Sequence, residues 1–396
     1  MKSRTIFSFL ILSFVFTTLM MVANANAIPA FARKYKLSCT TCHAPIPKLK
    51  PYGEEFAGNG FILKEDEKAR NYITAGDDKL WLNRDFPIAV RFDAYAVFDE
   101  DKTVNNDLQG PWGLKLLSGG TLYKNIGYYF YFYLSERGEV AGIEDAYIHF
   151  DNVFGTNLDI MVGQFQTSDP LMKRELRLTF EDYKIYKLRV GQSRADLAYD
   201  RGVILSYTIN KTGTDLFALV VNGNGKGEAG PDKKFDDDKY KNYAFRINQG
   251  LGEKASVGFY YYKGREAYTD WSYRAVPDNK LTYFGPDFNV NLGYFEVTAQ
   301  YLLRKDTNPY FASVANEVEG KGLVVEAILS PYKDRSNFFL TLLYNKIDHD
   351  IKSFDYHTIT LNGTYLVARN LRLAAEFTRD IEYKSNRVAL GLVSGF

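Results

Sequence analysis

The run RVALGLVSGF, residues 387–396, puts Val388, Leu390, Leu392 and Phe396 on one face of an extended chain and Ala389, Gly391 and Gly395 on the other. Successive side chains of a strand point to opposite faces, so this is a strand with one apolar side. Just before it, Leu371, Leu373, Ala375 and Phe377 alternate with Arg372, Ala374, Glu376 and Thr378; further back, Phe295, Val297, Ala299, Tyr301 and Leu303 alternate with Glu296, Thr298 and Gln300. Extending the pattern predicts about sixteen strands: 86–98, 112–122, 125–135, 143–151, 156–166, 199–209, 213–222, 241–249, 254–263, 280–289, 293–304, 320–330, 335–346, 356–367, 370–379 and 387–396. The fold class is therefore all-β.

Two architectures bury or hide such faces. A soluble sandwich turns them inward, whereas a transmembrane barrel turns them out to lipid and lines its lumen with the polar set. The links favour the barrel, because brief turns (123–124, 210–212, 290–292, 331–334) alternate with long loops (99–111, 223–240, 305–319). The expectation is an antiparallel transmembrane β-barrel over 86–396 in contact with outer-membrane lipid, both chain ends facing the periplasm. Composition agrees: 396 residues hold 30 Tyr and 29 Phe, enough for interfacial aromatic girdles. The terminal Phe396 also resembles the assembly signal of bacterial outer-membrane proteins.

The N-terminus reads as an export signal. Lys2 and Arg4 precede an apolar run from Ile6 to Val22, and Ala25-Asn26-Ala27 supplies the small-x-small cleavage pattern, so 1–27 is predicted to be a signal peptide. Loss of those two cations moves the formal net charge from +1 to −1, and electrostatics then offers no case for a nucleic-acid partner. Between signal and barrel lies a short segment, 28–85, near the lower size limit for a domain with its own core. It would gain from a second surface.

That segment carries the only two cysteines, in KLSCTTCHAP, residues 36–45. A disulfide or redox pair between Cys39 and Cys42 is one reading, but a redox C-x-x-C belongs to a βαβ context, and Pro45, Pro47 and Pro51 flank this one. A zinc site would lack ligands, since the next histidine is His149. C-x-x-C-H is the attachment pattern of a c-type haem: Cys39 and Cys42 form two thioethers, and His43 reaches the iron as proximal ligand. One covalent haem c is the expected cofactor.

With these residues in view, the stretch IPAFARKYKLSCTTCHAPIPKLKPYGEEFAGNGF, 28–61, resembles the N-terminal segment of the fused outer-membrane monohaem cytochrome-porins, best known as iron oxidases of iron-oxidising bacteria. The resemblance rests on Pro29, Phe31, Ala32 and Arg33, on Cys39, Cys42 and His43, and on Pro47, Leu49, Gly53, Phe56 and Gly60. It implies a monohaem cytochrome c segment over 28–85 and a porin-like barrel over 86–396. It also implies passage of electrons from extracellular Fe(II), or another redox partner, to a periplasmic c-type cytochrome, an Fe(II):cytochrome c oxidoreductase activity. The alternatives are a diffusion porin with the haem segment as plug or sensor, and a conduit exporting electrons to an external acceptor.

The distal iron ligand has several candidates. Met172 lies in the longest loop, 167–198, which is expected to fold inward; His149 alternates with Ile148 and Phe150 and is expected to face the lumen, as is Met161. His349 and His357 are assigned to an external loop or its edge. The acidic run Asp236, Asp237 and Asp238 is either a solvated loop or a cation site, and carries no ligand pattern. Tyr129, Tyr131 and Tyr133 in GYYFYFYL read as barrel lining rather than an electron path. The glycine-rich NGNGKGEAG, 222–230, joins two strands and opens no helix, which excludes a phosphate loop.

Overall fold

A strand forms at each of the sixteen expected positions. In the computed structural model of the chain, which describes residues 30–63, 72–73, 76–77, 79–83, 86–100, 102–168, 170–230, 232–268 and 276–396, they close into one barrel. The expected signal peptide, 1–27, lies outside the described residues. The barrel strands are β1 (Ile88–Asp99), β2 (Asn106–Tyr123), β3 (Ile126–Glu136), β4 (Gly142–Val153), β5 (Leu158–Phe165), β6 (Asp200–Ile209), β7 (Thr214–Val221) and β8 (Asn242–Gly250). They continue as β9 (Ala255–Glu266), β10 (Asn279–Asn291), β11 (Phe295–Asp306), β12 (Val318–Leu329), β13 (Phe338–His349), β14 (Tyr356–Ala368), β15 (Leu371–Asp380) and β16 (Ser385–Gly395). Each strand pairs antiparallel with its neighbours in sequence. The seam pairs β16 with β1, Leu392 opposite Ala94, and Phe396 N–H donates to the Val90 carbonyl at 2.8 Å. Closure leaves no edge strand, which is what a sheet in lipid requires.

The alternation has the expected sense. Phe245, Ile247, Phe259, Leu342, Tyr365 and Phe377 are exposed on the outer wall, while Arg372, Glu376 and Thr378 are buried inside. An apolar belt of this extent around a closed barrel matches lipid, not water. Short turns, such as 124–125, 210–213 and 369–370, gather at one rim with both ends of the barrel chain; the long links gather at the other.

Two expectations change. The long link 99–111 shrinks to 100–105, because β2 begins at Asn106 and pairs with β1 as far as Phe98 opposite Asn106. The lumen is also less polar than expected. Tyr260, Tyr262, Leu281, Tyr283, Leu302, Val324 and Leu343 point inward and are fully buried.

They are buried because the loop 167–198 fills the lumen. Tyr186, Leu188, Val190 and Leu197 from this loop join those wall residues in one apolar cluster. Hydrogen bonds and ion pairs tie the loop to several strands of the wall. The Glu376 carboxylate accepts Phe180 N–H at 2.6 Å and Glu181 N–H at 2.9 Å, Asn345 donates to Asp182 O at 3.0 Å, and Tyr183 donates to Glu326 at 2.8 Å. Elsewhere on the wall, Glu266 of β9 accepts the N–H groups of Arg194 and Ala195 at 2.8 and 3.0 Å, and Glu175 is paired with Lys115 of β2. A loop of this length whose only regular structure among the described residues is two short 3-10 turns, Arg174–Leu176 and Lys184–Lys187, is uncommon unless it has a function. Here it forms a transverse septum.

Candidate functional site

The N-terminal segment docks inside the barrel at the short-turn rim. It contains the short helices α1 (Ala30–Tyr35), α2 (Cys39–Cys42) and α3 (Pro51–Gly58). Ser38 caps α2, Pro51 starts α3 where a missing N–H costs nothing, and Phe56 and Gly53 form the buried face of α3. Its small core is aromatic: Phe31 stacks on Phe61 at 5.1 Å and meets Phe56 edge-on at 5.2 Å. Phe61 then stacks on Tyr129 of β3 at 4.7 Å, so the barrel wall completes that core.

Two glycines permit the close approach. A Cβ on Gly53 would lie 2.4 Å from the Cys42 carbonyl oxygen, and one on Gly127 of β3 would lie 2.1 Å from the Gly60 carbonyl oxygen. Both contacts are with backbone, which cannot swing aside. Across the lumen, Lys48 pairs with Glu296 of β11 at 2.7 Å and approaches Glu326 of β12 at 3.9 Å. The segment therefore touches opposite walls.

Burial alone would lower the Lys48 pKa, but Glu296 and Glu326 outweigh it and hold the ammonium above its ordinary value. A cation held up in the folded state stabilises fully below its ordinary pKa of about 10.4, and that contribution is lost only as pH rises through the folded value. Lys48→Met is expected to weaken docking by about 1–3 kcal/mol, less than the ~3–5 for a fully buried pair, since side-chain exposure is 17% for Lys48 and 21% for Glu296. Limited proteolysis of the segment in detergent checks this. Wild-type protection should be equal at pH 6 and pH 9, and a fall between them would assign docking to another titrating group.

Between segment and septum lies a cavity of about 1120 Å³, at the upper end of cofactor pockets. Cys39, Cys42 and His43 line it, together with Met161, Met172 and His149. The structure thus brings the expected attachment residues and three of the five distal candidates to one space. His349 ends β13 and His357 lies near the start of β14, both at the long-loop rim; neither lines the cavity. The lining continues to Gly250, Gly252 and Lys254, so the cavity opens at the short-turn rim.

The geometry of the motif can be tested against a haem. His43 Nδ1 lies 3.1 Å from the Pro47 carbonyl and 3.3 Å from that of Lys48, so Nδ1–H donates and the Nε2 lone pair is left for a metal. Burial lowers the His43 pKa, which keeps the ring neutral as ligation requires. Both cysteines are free thiols one helical turn apart, on the cavity side. Burial raises both thiol pKa values, the opposite of what a redox-active C-x-x-C needs. Two thiols, a tied-back imidazole and an aromatic wall fit a covalently held haem.

Other sequence candidates resolve as structure. Asp236 pairs with Lys241, Asp237 with Arg194, and Asp238 accepts Tyr240 N–H at 2.6 Å and Ala267 N–H at 2.8 Å, so the acidic run staples its loop. Tyr131 and Tyr133 are buried inside, as expected for lining; Tyr131 shares a 2.8 Å hydrogen bond with Tyr199. Sequence reading missed Asp151 and Asp159, which stand beside His149. The signal was present in YIHFD, where Tyr147, His149 and Asp151 share one face of β4.

A barrel of sixteen sequential antiparallel strands, short turns at one rim and a long inward loop after the fifth strand can be compared with solved structures. The fold is that of a porin. The anion-selective porin from Comamonas acidovorans is similar with TM-score 0.59 at 11% identity, covering 79% of this chain and 99% of that one. The outer-membrane channel DcaP of Acinetobacter baumannii gives 0.56 at 15%, covering 79% and 97%, and OmpF of Salmonella typhi 0.57 at 10%, covering 78% and 97%. At these identities the likeness concerns the porin fold alone. No protein-family model and no curated protein matches the sequence.

Proposed function

We propose that this porin-fold chain is a one-electron conduit of the bacterial outer membrane, holding a single haem c on Cys39, Cys42 and His43. It passes electrons between an extracellular donor, most simply Fe(II), and a periplasmic c-type cytochrome. The observation that carries the reading is the placement of C-x-x-C-H on the wall of a cavity within a barrel whose lumen is crossed by a septum. When bound, a c-type haem supplies a one-electron couple with a potential set by its axial ligand and burial.

The chain's own residues do the rest. Cys39 and Cys42 would tether the group, and His43 is oriented by the Pro47 and Lys48 carbonyls. Phe31, Phe61 and Tyr129 form an apolar wall, and Met161 and Met172 bring thioethers to the same cavity that would be available to the group as ligands. The septum is expected to hinder water and solutes, while the ring contacts of Tyr129, Tyr131 and Tyr133 run along β3 toward the far rim. Fe(II) loses one electron to become Fe(III), and the periplasmic cytochrome gains it. With the short-turn rim periplasmic, the cavity opens toward that acceptor. The resemblance of residues 28–61 to the cytochrome-porins supports the iron donor.

The porin likeness favours a second reading, solute diffusion with the segment as plug. The septum opposes it. Proteoliposomes with cytochrome c inside and Fe(II) outside distinguish them: the conduit reduces the enclosed cytochrome without releasing a trapped small sugar. Sugar release without reduction would establish the porin reading. If the haem bands of the purified protein sharpen only with dithionite, ferrous iron is not the donor and export moves ahead.

A further inference from the structure

We propose that His149, Asp151 and Asp159 form a binding site for a first-row divalent transition metal, separate from the C-x-x-C-H motif. One ligand atom from each of the three lies within 4.8 Å of the other two. His149 and Asp151 alternate on the inner face of β4, and Asp159 stands on the adjoining strand β5 across the short turn 154–157. The turn and the ladder set the spacing of the three.

His149 points to a ligand independently of the cluster. It is 4% exposed, and neither Nδ1 nor Nε2 has a hydrogen-bond partner among the described residues. Leaving a buried donor or acceptor unmet costs about 1–3 kcal/mol each, so an imidazole with both nitrogens orphaned is better explained by a missing partner. Asp151, equally buried, accepts from the Asn152 side-chain amide, and no cationic side chain among the described residues pairs with it. Asp159 accepts Asn152 N–H at 2.8 Å, which holds that carboxylate beside the turn.

The donor set defines the metal class. One nitrogen and two oxygens suit Zn²⁺, Fe²⁺, Mn²⁺ or Co²⁺; they are too few and too nitrogenous for Ca²⁺, and they lack the sulfur that selects Cu⁺. Three protein ligands leave positions for water or substrate. His149 and Asp159 line the same cavity as Cys39 and His43, so a cation enters from the short-turn rim. Gly60 covers the imidazole, for a Cβ there would lie 3.0 Å from its Cδ2. Assigning His149 to the cation removes it as a distal haem ligand. The site itself does not depend on haem.

Isothermal titration of Zn²⁺ into the untagged, chelator-stripped full chain in detergent tests the assignment. One equivalent is expected to bind, with affinity falling at least about a hundredfold in His149→Gln and Asp159→Asn, because even the partners of metal ligands are worth ~10–100-fold. Heat-dependent gel mobility confirms that the variants are folded barrels, and Asp236→Asn serves as a control that retains binding. Absence of a stoichiometric Zn²⁺ event, or equal binding by wild type and His149→Gln, overturns the proposal. A His149→Gln protein with an altered haem spectrum also overturns it, by making His149 an iron ligand.

Discussion

Replacing Cys39 and Cys42 together by serine is expected to abolish all haem that survives denaturation, while the barrel still folds. The chain has no other cysteine, so no second route to a thioether exists. Haem staining after denaturing electrophoresis should fall from one haem per wild-type chain to none. The barrel ladders and the septum contain neither residue, and heat-dependent gel mobility should be unchanged. His43→Ala should give a different pattern: covalent haem is retained and its spectrum shifts, because the ligand is lost and the tether is not. A wild-type chain without covalent haem, purified from a host able to attach it, would overturn the conduit reading at its base.

The second large effect concerns the septum. A sixteen-stranded barrel ordinarily leaves an aqueous channel. Wild-type protein in a planar bilayer is nevertheless expected to carry little steady current, because Tyr186, Leu188, Val190 and Leu197 pack against the apolar inner wall. Replacing 167–198 by a short Gly-Ser link should raise conductance at least about tenfold, toward that of an open porin. A gentler variant guards against misfolding. Glu376→Ala removes the acceptor for Phe180 and Glu181 N–H and should produce intermittent openings without changing the wall. Steady, porin-like current through the wild type would instead place diffusion first.

Much of the fold was legible because strand alternation is local. Leu373 and Phe377 outward with Arg372 and Glu376 inward can be read from six residues of β15. Legibility failed where both faces are apolar. In FYYY, residues 259–262, Phe259 and Tyr261 face out while Tyr260 and Tyr262 are buried inside, and no pattern distinguishes them. Their burial depends on Tyr186 and Leu188, more than seventy residues away in the chain. For the candidate site, Cys39, Cys42 and His43 were legible because thioether chemistry demands a fixed local spacing. The Lys48–Glu296 pair was not, since 248 residues separate its members.

The sequence by itself therefore determined the all-β class, the strand positions, the outward apolar face and the C-x-x-C-H motif, each a property of neighbours within a few residues. The inward fold of the loop 167–198 was also expected; only the tertiary structure decided that it reaches wall to wall, that the N-terminal segment seats against Gly127 and Glu296, and that Met161, Met172 and His149 share a cavity with His43. The physical reason is range. Periodicity records which way a side chain points, whereas what it meets there is set by closure of the barrel, which brings distant strands and loops into one interior.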